Sequence, residues 1–156
     1  MNVPREQIAV AVFNLIKGIT FGSNMPGGGF ATSGRAGRMW SDLADAAQPA
    51  MFLFQVGETA TQQRTAIGLY KWEMDFWCLI YLRADPAQVD AGTTVETAMN
   101  AILDALEKAL QPITGEKQTL GWIVNNVWIE GQIIVDTGIT DQQCALIIPL
   151  KVQTGS

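Results

Sequence analysis

The chain has 156 residues, a formal net charge of −5 and a pI near 4.6. That balance excludes a protein that grips nucleic acid by its phosphates, which takes a basic footprint, but not one that nucleic acid merely passes. There is no histidine, so imidazole is absent from any catalytic or metal site, and two cysteines are too few for a disulfide framework or a four-thiolate zinc site.

An apolar fraction of 48% against 16% charged residues places the chain among globular proteins, most simply as a single domain over 1–156. Cys78 and Cys144 both fall within apolar strand patterns and read as buried free thiols. The apolar run from Ile8 to Phe13 is far short of the roughly 20 residues of a membrane helix. No basic region, long apolar run and small-residue cleavage site stand at the N-terminus. The expectation is a soluble protein with no membrane partner, made in a reducing compartment.

Pro4 to Lys17 reads as a first helix, with Pro4 in the first turn, Glu6 near the positive N-terminal end and Gly18 as a stop. Ile8, Ala11, Val12, Leu15, Ile16 and Ile19 form its apolar stripe. Phe21 to Gly37 holds six glycines and one proline in seventeen residues and reads as a long loop or flexible arm. Arg38 to Ala47 reads as a short helix broken by Pro49. Ala50 to Val56 is then a short buried strand, and Gly57 to Gln63 a polar turn into the next one.

That next strand, Tyr70 to Arg83, organises the chain. At about 3.3 Å per residue it spans roughly 45 Å, well beyond the usual length, so its first half is expected to project past its own domain. Tyr70, Trp72, Met74, Phe76, Cys78, Ile80 and Leu82 make one continuously apolar face. The other face begins with Lys71, Glu73 and Asp75 and turns apolar at Trp77, Leu79 and Tyr81. The second half is therefore expected to be covered on both faces, with Trp77, Leu79 and Tyr81 under the second helix.

Thr93 or Thr94 caps that second helix, which runs to about Leu110. Its buried stripe is Val95, Ala98, Met99, Ile102, Leu103, Leu106 and Leu110. Two strands follow, Gly121 to Val135 interrupted at Gly131, and Gln142 to Val152. Pro149 within the last predicts an edge or a bulge, because proline donates nothing to a ladder. The pattern as a whole predicts an α+β fold: a mainly antiparallel sheet, two principal helices packed on it, and the glycine-rich arm of about 21–37.

Chemistry leaves little trace. Gly29-Phe-Ala-Thr-Ser-Gly34-Arg35-Ala36 follows the outline of a phosphate-binding loop at both glycines. Arginine replaces the lysine, Ala36 has no hydroxyl for Mg²⁺, and no strand leads into it, so the arm reading is preferred. Glu73 and Asp75 share a face as catalytic carboxylates would, yet beside Lys71 they read as surface charge. No nucleophile elbow, cysteine–histidine pair or metal-spaced carboxylate cluster is present. The reading is of no enzyme, no cofactor and no metal.

Several segments resemble the tail terminator, or tail-completion, proteins of long-tailed bacteriophages. They are Arg38-Met-Trp-Ser-Asp42, Gln48-Pro-Ala-Met-Phe-Leu-Phe-Gln55, Gly68-Leu-Tyr-Lys-Trp72 and the ending Gly138-Ile-Thr-Asp-Gln-Gln-Cys-Ala-Leu-Ile-Ile-Pro149. The resemblance implies a hexameric ring at the head-proximal end of the tail in the virion, assembled in the host cytoplasm. The ring would stop growth of the tail tube protein, meet the head–tail connector, and let DNA pass without specific binding. On that reading Phe30, Arg35, Arg38 and Trp40 are expected at subunit or partner contacts, since arginine and aromatic side chains beside a loose segment favour interfaces. Glu73 and Asp75 are expected on an exposed charged surface or facing the channel. Other neck or tail components stand beside this reading, a twelve-fold head–tail adaptor or a tube subunit in stacked hexamers, as does a small oligomeric ligand-binding protein or enzyme with an apolar pocket.

Overall fold

The computed structural model describes residues 3–21, 28–62, 70–83, 95–111, 113, 115–136 and 143–155. In chain order the elements are α1 (Arg5–Lys17), β1 (Thr32–Gly34), β2 (Ala50–Gln62), β3 (Tyr70–Arg83), α2 (Val95–Leu110), β4 (Asn126–Ile129), β5 (Ile134–Asp136) and β6 (Gln143–Gly155). Among the described residues this is an α+β fold of two helices on a six-stranded, mainly antiparallel sheet. The glycine-rich stretch 22–27 and the predicted caps Thr93 and Thr94 lie outside the described residues.

β3 is one unbroken strand of 14 residues, as its two-faced pattern predicts. It does not project alone. β2 pairs with it from Ala50↔Tyr81 to Gln62↔Tyr70, and β6 from Gln143↔Arg83 to Gly155↔Lys71, so three strands of similar length run together. The polar stretch from Gly57, expected as a turn, extends β2 to Gln62, and the C-terminal Gln153–Gly155 extends β6. Cross-strand pairing supplies a partner for backbone that the side chains alone do not mark as strand.

Both helices cover one face of this sheet, here called inner. Met74, Phe76, Cys78, Ile80 and Leu82 of β3 lie against Ile8, Val12 and Ile16 of α1 and Ile102 and Leu106 of α2 in one continuous core. Each such side chain taken from water contributes about 1.5–3 kcal/mol. Cys78 and Cys144 are free and buried within that core, and burial alone pushes the Cys78 thiol up to about 12.

The outer face departs from expectation. Trp77, Leu79 and Tyr81 do not sit under α2, because both helices pack on the inner side. Instead the segment 38–48 crosses the outer face and forms a second small core of Leu43, Ala50 and Phe52, flanked by Leu79 and Tyr81. That segment is not one short helix but two separate 3₁₀ turns, Trp40–Asp42 and Asp45–Ala47. Leu43 between them is extended, with ψ 119°, and dips into the small core. An α-helix would hold Leu43 on a turn rather than let the chain follow the sheet.

Residues 28–37, expected within the arm, pack too. Thr32–Gly34 pairs in parallel with Ala50–Phe52 of β2, and Phe30 meets Phe21 edge-on at 5.0 Å between ring centroids.

The predicted strand 121–135 is two short ones. β4 and β5 lie end to end along β6, separated by a jog at Gly131, whose φ of 119° suits glycine alone. Pro149 is therefore in a central strand and not at an edge. Its carbonyl accepts from the Glu130 amide at 3.2 Å. Backbone N and O of one residue in an antiparallel strand point the same way, so the missing amide hydrogen faces the jog. Nor is β6 bulged there, since its register with β3 is unbroken; the irregularity lies across from it, in the break between β4 and β5.

Candidate functional site

The outer face is where unburied side chains of several types converge, and it divides into three zones along β3. At one end Tyr81 packs edge-on against Trp40 at 5.1 Å and Phe52 at 6.2 Å, and its hydroxyl donates to the Arg38 carbonyl at 3.3 Å. Arg83 pairs with Asp45 beyond it. This end is closed.

The middle zone is open and apolar. Trp77 is 49% exposed, with Phe54 of β2 on one side and Pro149 of β6 on the other. The bare proline ring and the missing helix leave the indole half in water.

The far end is charged. Lys71 Nζ lies 2.7 Å from Glu73, and Lys151 lies 2.8 Å from Glu130, 3.6 Å from Glu73 and 3.8 Å from Asp75. The Trp128 indole donates to Glu130 at 2.7 Å. The Lys71 hydrogen bond holds the Glu73 carboxyl below its ordinary range, and Lys151 with Trp128 does the same for Glu130. Glu130 in turn raises Lys151. Three carboxylates against two ammonium groups leave one net negative charge, so this is a nearly balanced surface network rather than a strongly anionic field.

The structure places the six expected site residues apart. Glu73 and Asp75 are on the outer face, half-exposed and ion-paired. Arg38 and Trp40 are on the same face at its other end, six strand positions away or roughly 20 Å at the rise of a strand. Arg38 is exposed, while Trp40 is half-buried over Tyr81. Arg35 leaves this face altogether: its guanidinium forks onto both oxygens of Glu6 on α1, which lowers the Glu6 carboxyl. Phe30 packs against the inner core.

Two exposed tryptophans escaped sequence reasoning. Trp77 has no cover, and its position in phase with Glu73 and Asp75 is the signal of that in the sequence. Trp122, within the strand expected over 121–135, stands in a turn with φ 73° and is 89% exposed. The adjacent Gly121 was the only cue. Among the described residues no group of three or more His, Cys, Asp or Glu is placed to hold a metal ion, and no helix is long and apolar enough to cross a membrane. A scan against protein-family models matches none, and a search of curated proteins finds no significant match.

Proposed function

We propose that the chain is a structural subunit of a phage tail, a terminator that forms a hexameric ring at the head-proximal end of the tail tube and meets the head–tail connector. The observation that carries the reading is the half-exposed Trp77 in the open middle of the outer face, between a closed aromatic end and a charged end. An aromatic anchor surrounded by polar groups is the composition of a protein interface. The sequence segments that resemble tail terminators name the assembly in which that interface works.

On this reading Arg38 and Trp40, at the rim of the outer face, contact a neighbour or the connector. The Lys71, Glu73, Asp75, Lys151 and Glu130 network faces passing DNA. A nearly neutral, slightly negative surface does not release counterions from phosphates and so does not hold the duplex. Arg35 is engaged within the chain and serves the fold.

Electron micrographs of tail tubes assembled with and without the protein test the reading. The expected result is tubes of uniform length with a six-fold ring at one end only when it is present. Tubes whose length and ends are indifferent to the protein overturn it. Twelve-fold rings would transfer the assignment to the adaptor, and stacked hexamers to a tube subunit.

A further inference from the structure

Both outer edges of the sheet are open among the described residues. β1 covers β2 only at Ala50–Phe52, which leaves Leu53–Gln62 without a strand on its outer side. On the far side no further strand pairs with β4 or β5 among the described residues.

Natural edges of such length are blunted with lysine, proline or inward-pointing charge. Leu53–Gln62 contains no lysine and no proline, and its one charge, Glu58, is bonded by Arg5 of α1 at 2.7 Å. Glu58, on the inner face opposite Met74, and the bulge at Val56 are the protective devices it does have. β4 reads Asn-Val-Trp-Ile, and β5 leaves Ile134 50% and Val135 43% exposed. Just before β4 three consecutive residues have positive φ: Leu120 at 51°, Gly121 at 70° and Trp122 at 73°. A bulky residue in the left-handed region and an indole in water are both unfavourable for the isolated chain. Burial of Trp122 against a partner offsets both.

We infer that these edges meet between copies of this chain, the β4 edge and Trp122 of one copy against the open edge of β2 in the next. The inference rests on the ring reading above and assigns the surfaces that close the ring. Three antiparallel steps separate β2 from β4, so the two edges run in opposite directions. Copies related by rotation about an axis along the strands keep those directions, and their contact continues the antiparallel pattern.

The levels match as well. Through the registers Asn126↔Gln153, Gln153↔Glu73 and Glu73↔Thr59, the start of β4 stands level with Thr59. Its end stands level with Gln55 by the same route through Leu150 and Phe76. A neighbour's β4 thus arrives where β2 is open, whereas its β5 arrives at the level of Ala50–Phe52, where β1 already fills the edge, so the paired stretch is β4 on Gln55–Thr59 and β5 turns aside. Two unlike patches on one chain make a head-to-tail contact, which closes into a ring when the rotation between copies divides a full turn.

Cysteines at Thr59→Cys and Asn126→Cys test this, because Cys78 and Cys144 are buried and do not compete for reagent. With a short bis-maleimide the double variant is expected to give a ladder of covalent oligomers, and each single variant to stay monomeric on a denaturing gel. Absence of the ladder, or dimers from either single variant, overturns the inference. In parallel, Thr61→Lys and Trp122→Lys are each expected to weaken self-association at least about tenfold by sedimentation, with an unchanged circular dichroism spectrum. Undiminished association of both overturns it. Six-fold rings that give no ladder end this inference and leave the ring reading standing. Protein that stays monomeric and also leaves tubes uncapped ends both.

Discussion

The backbone at Gly37 lies against the ring of Phe54, so close that a β-carbon there would stand 2.6 Å from Cζ. At Gly34 a β-carbon would make only ordinary contact, 3.4 Å from Phe52 Cδ1. Gly37 lets the chain run flat over the outer face of β2 on its way to the small core. Here the missing side chain serves close packing rather than mobility.

Gly37→Ala is therefore expected to destabilise the fold by about 1–3 kcal/mol through overpacking, nearer the lower figure because the half-buried Phe54 ring can swing. The same substitution made in a Phe54→Ala background is expected to lose most of its effect. Chemical denaturation of the four proteins in a double-mutant cycle measures the coupling, and additive effects would show that the two residues do not clash.

Trp122 offers a trade between stability and assembly. Its φ of 73° costs a non-glycine residue about 1–2 kcal/mol, part of which glycine gives back as unfolded-state entropy. Trp122→Gly is expected to leave the monomer as stable or up to about 1 kcal/mol more stable, while ring formation is lost. Thermal melts of the monomer beside sedimentation of the assembled protein check both halves.

The two thiols should be silent in the native protein. Burial pushes Cys78 up to about 12 and raises Cys144, with the Asp136 charge as a smaller contribution to the latter. A disulfide reagent at pH 8 is expected to modify neither until the chain unfolds, and then both. Fast labelling of the folded protein would show that the inner core opens locally.

The charged end of the outer face sets a pH dependence. Glu73 and Glu130 are held below their ordinary range, so their contribution is present above the unfolded carboxylate value of 4.5 and is lost as pH falls through the lower folded values. Lys151 is raised, so its contribution is present below 10.5 and is lost as pH rises through the higher folded value. Lys151→Met removes the cation shared by three carboxylates. The variant is expected to be less stable than the parent at pH 7, with the difference shrinking below about pH 4 as the carboxylates protonate. Denaturation series at pH 7 and pH 3 compare the two.

Much of the fold is legible in the order of residues. α1 and α2 stand where their 3.6-residue stripes place them, and β3 has the bounds its alternation implies, Tyr70–Arg83. The polar ends of β2 and β6 are not legible, because Gly57–Gln62 and Gln153–Gly155 become strand only through their partners in β3. Nor is the segment 38–48, whose spacing of Met39, Trp40, Leu43 and Ala47 suits a helix until the sheet beneath offers Phe52, Leu79 and Tyr81 as a surface. Of the candidate site, the half-wet face of β3 was visible in Lys71, Glu73 and Asp75. Trp77 in the same phase lacks the cover that the apolar pattern of Trp77, Leu79 and Tyr81 implies, because both described helices pack on the inner face.

By itself, then, the sequence determined the class of elements, the apolar inner face of β3 and the absence of histidine chemistry, since periodicity and composition are local properties of the chain. Tertiary structure decided which face the helices chose, which glycines are contacts, where Arg35 is consumed and that Trp77 and Trp122 stand in water. Those outcomes depend on what lies across a strand or a turn, at separations in sequence that no window of neighbouring residues contains.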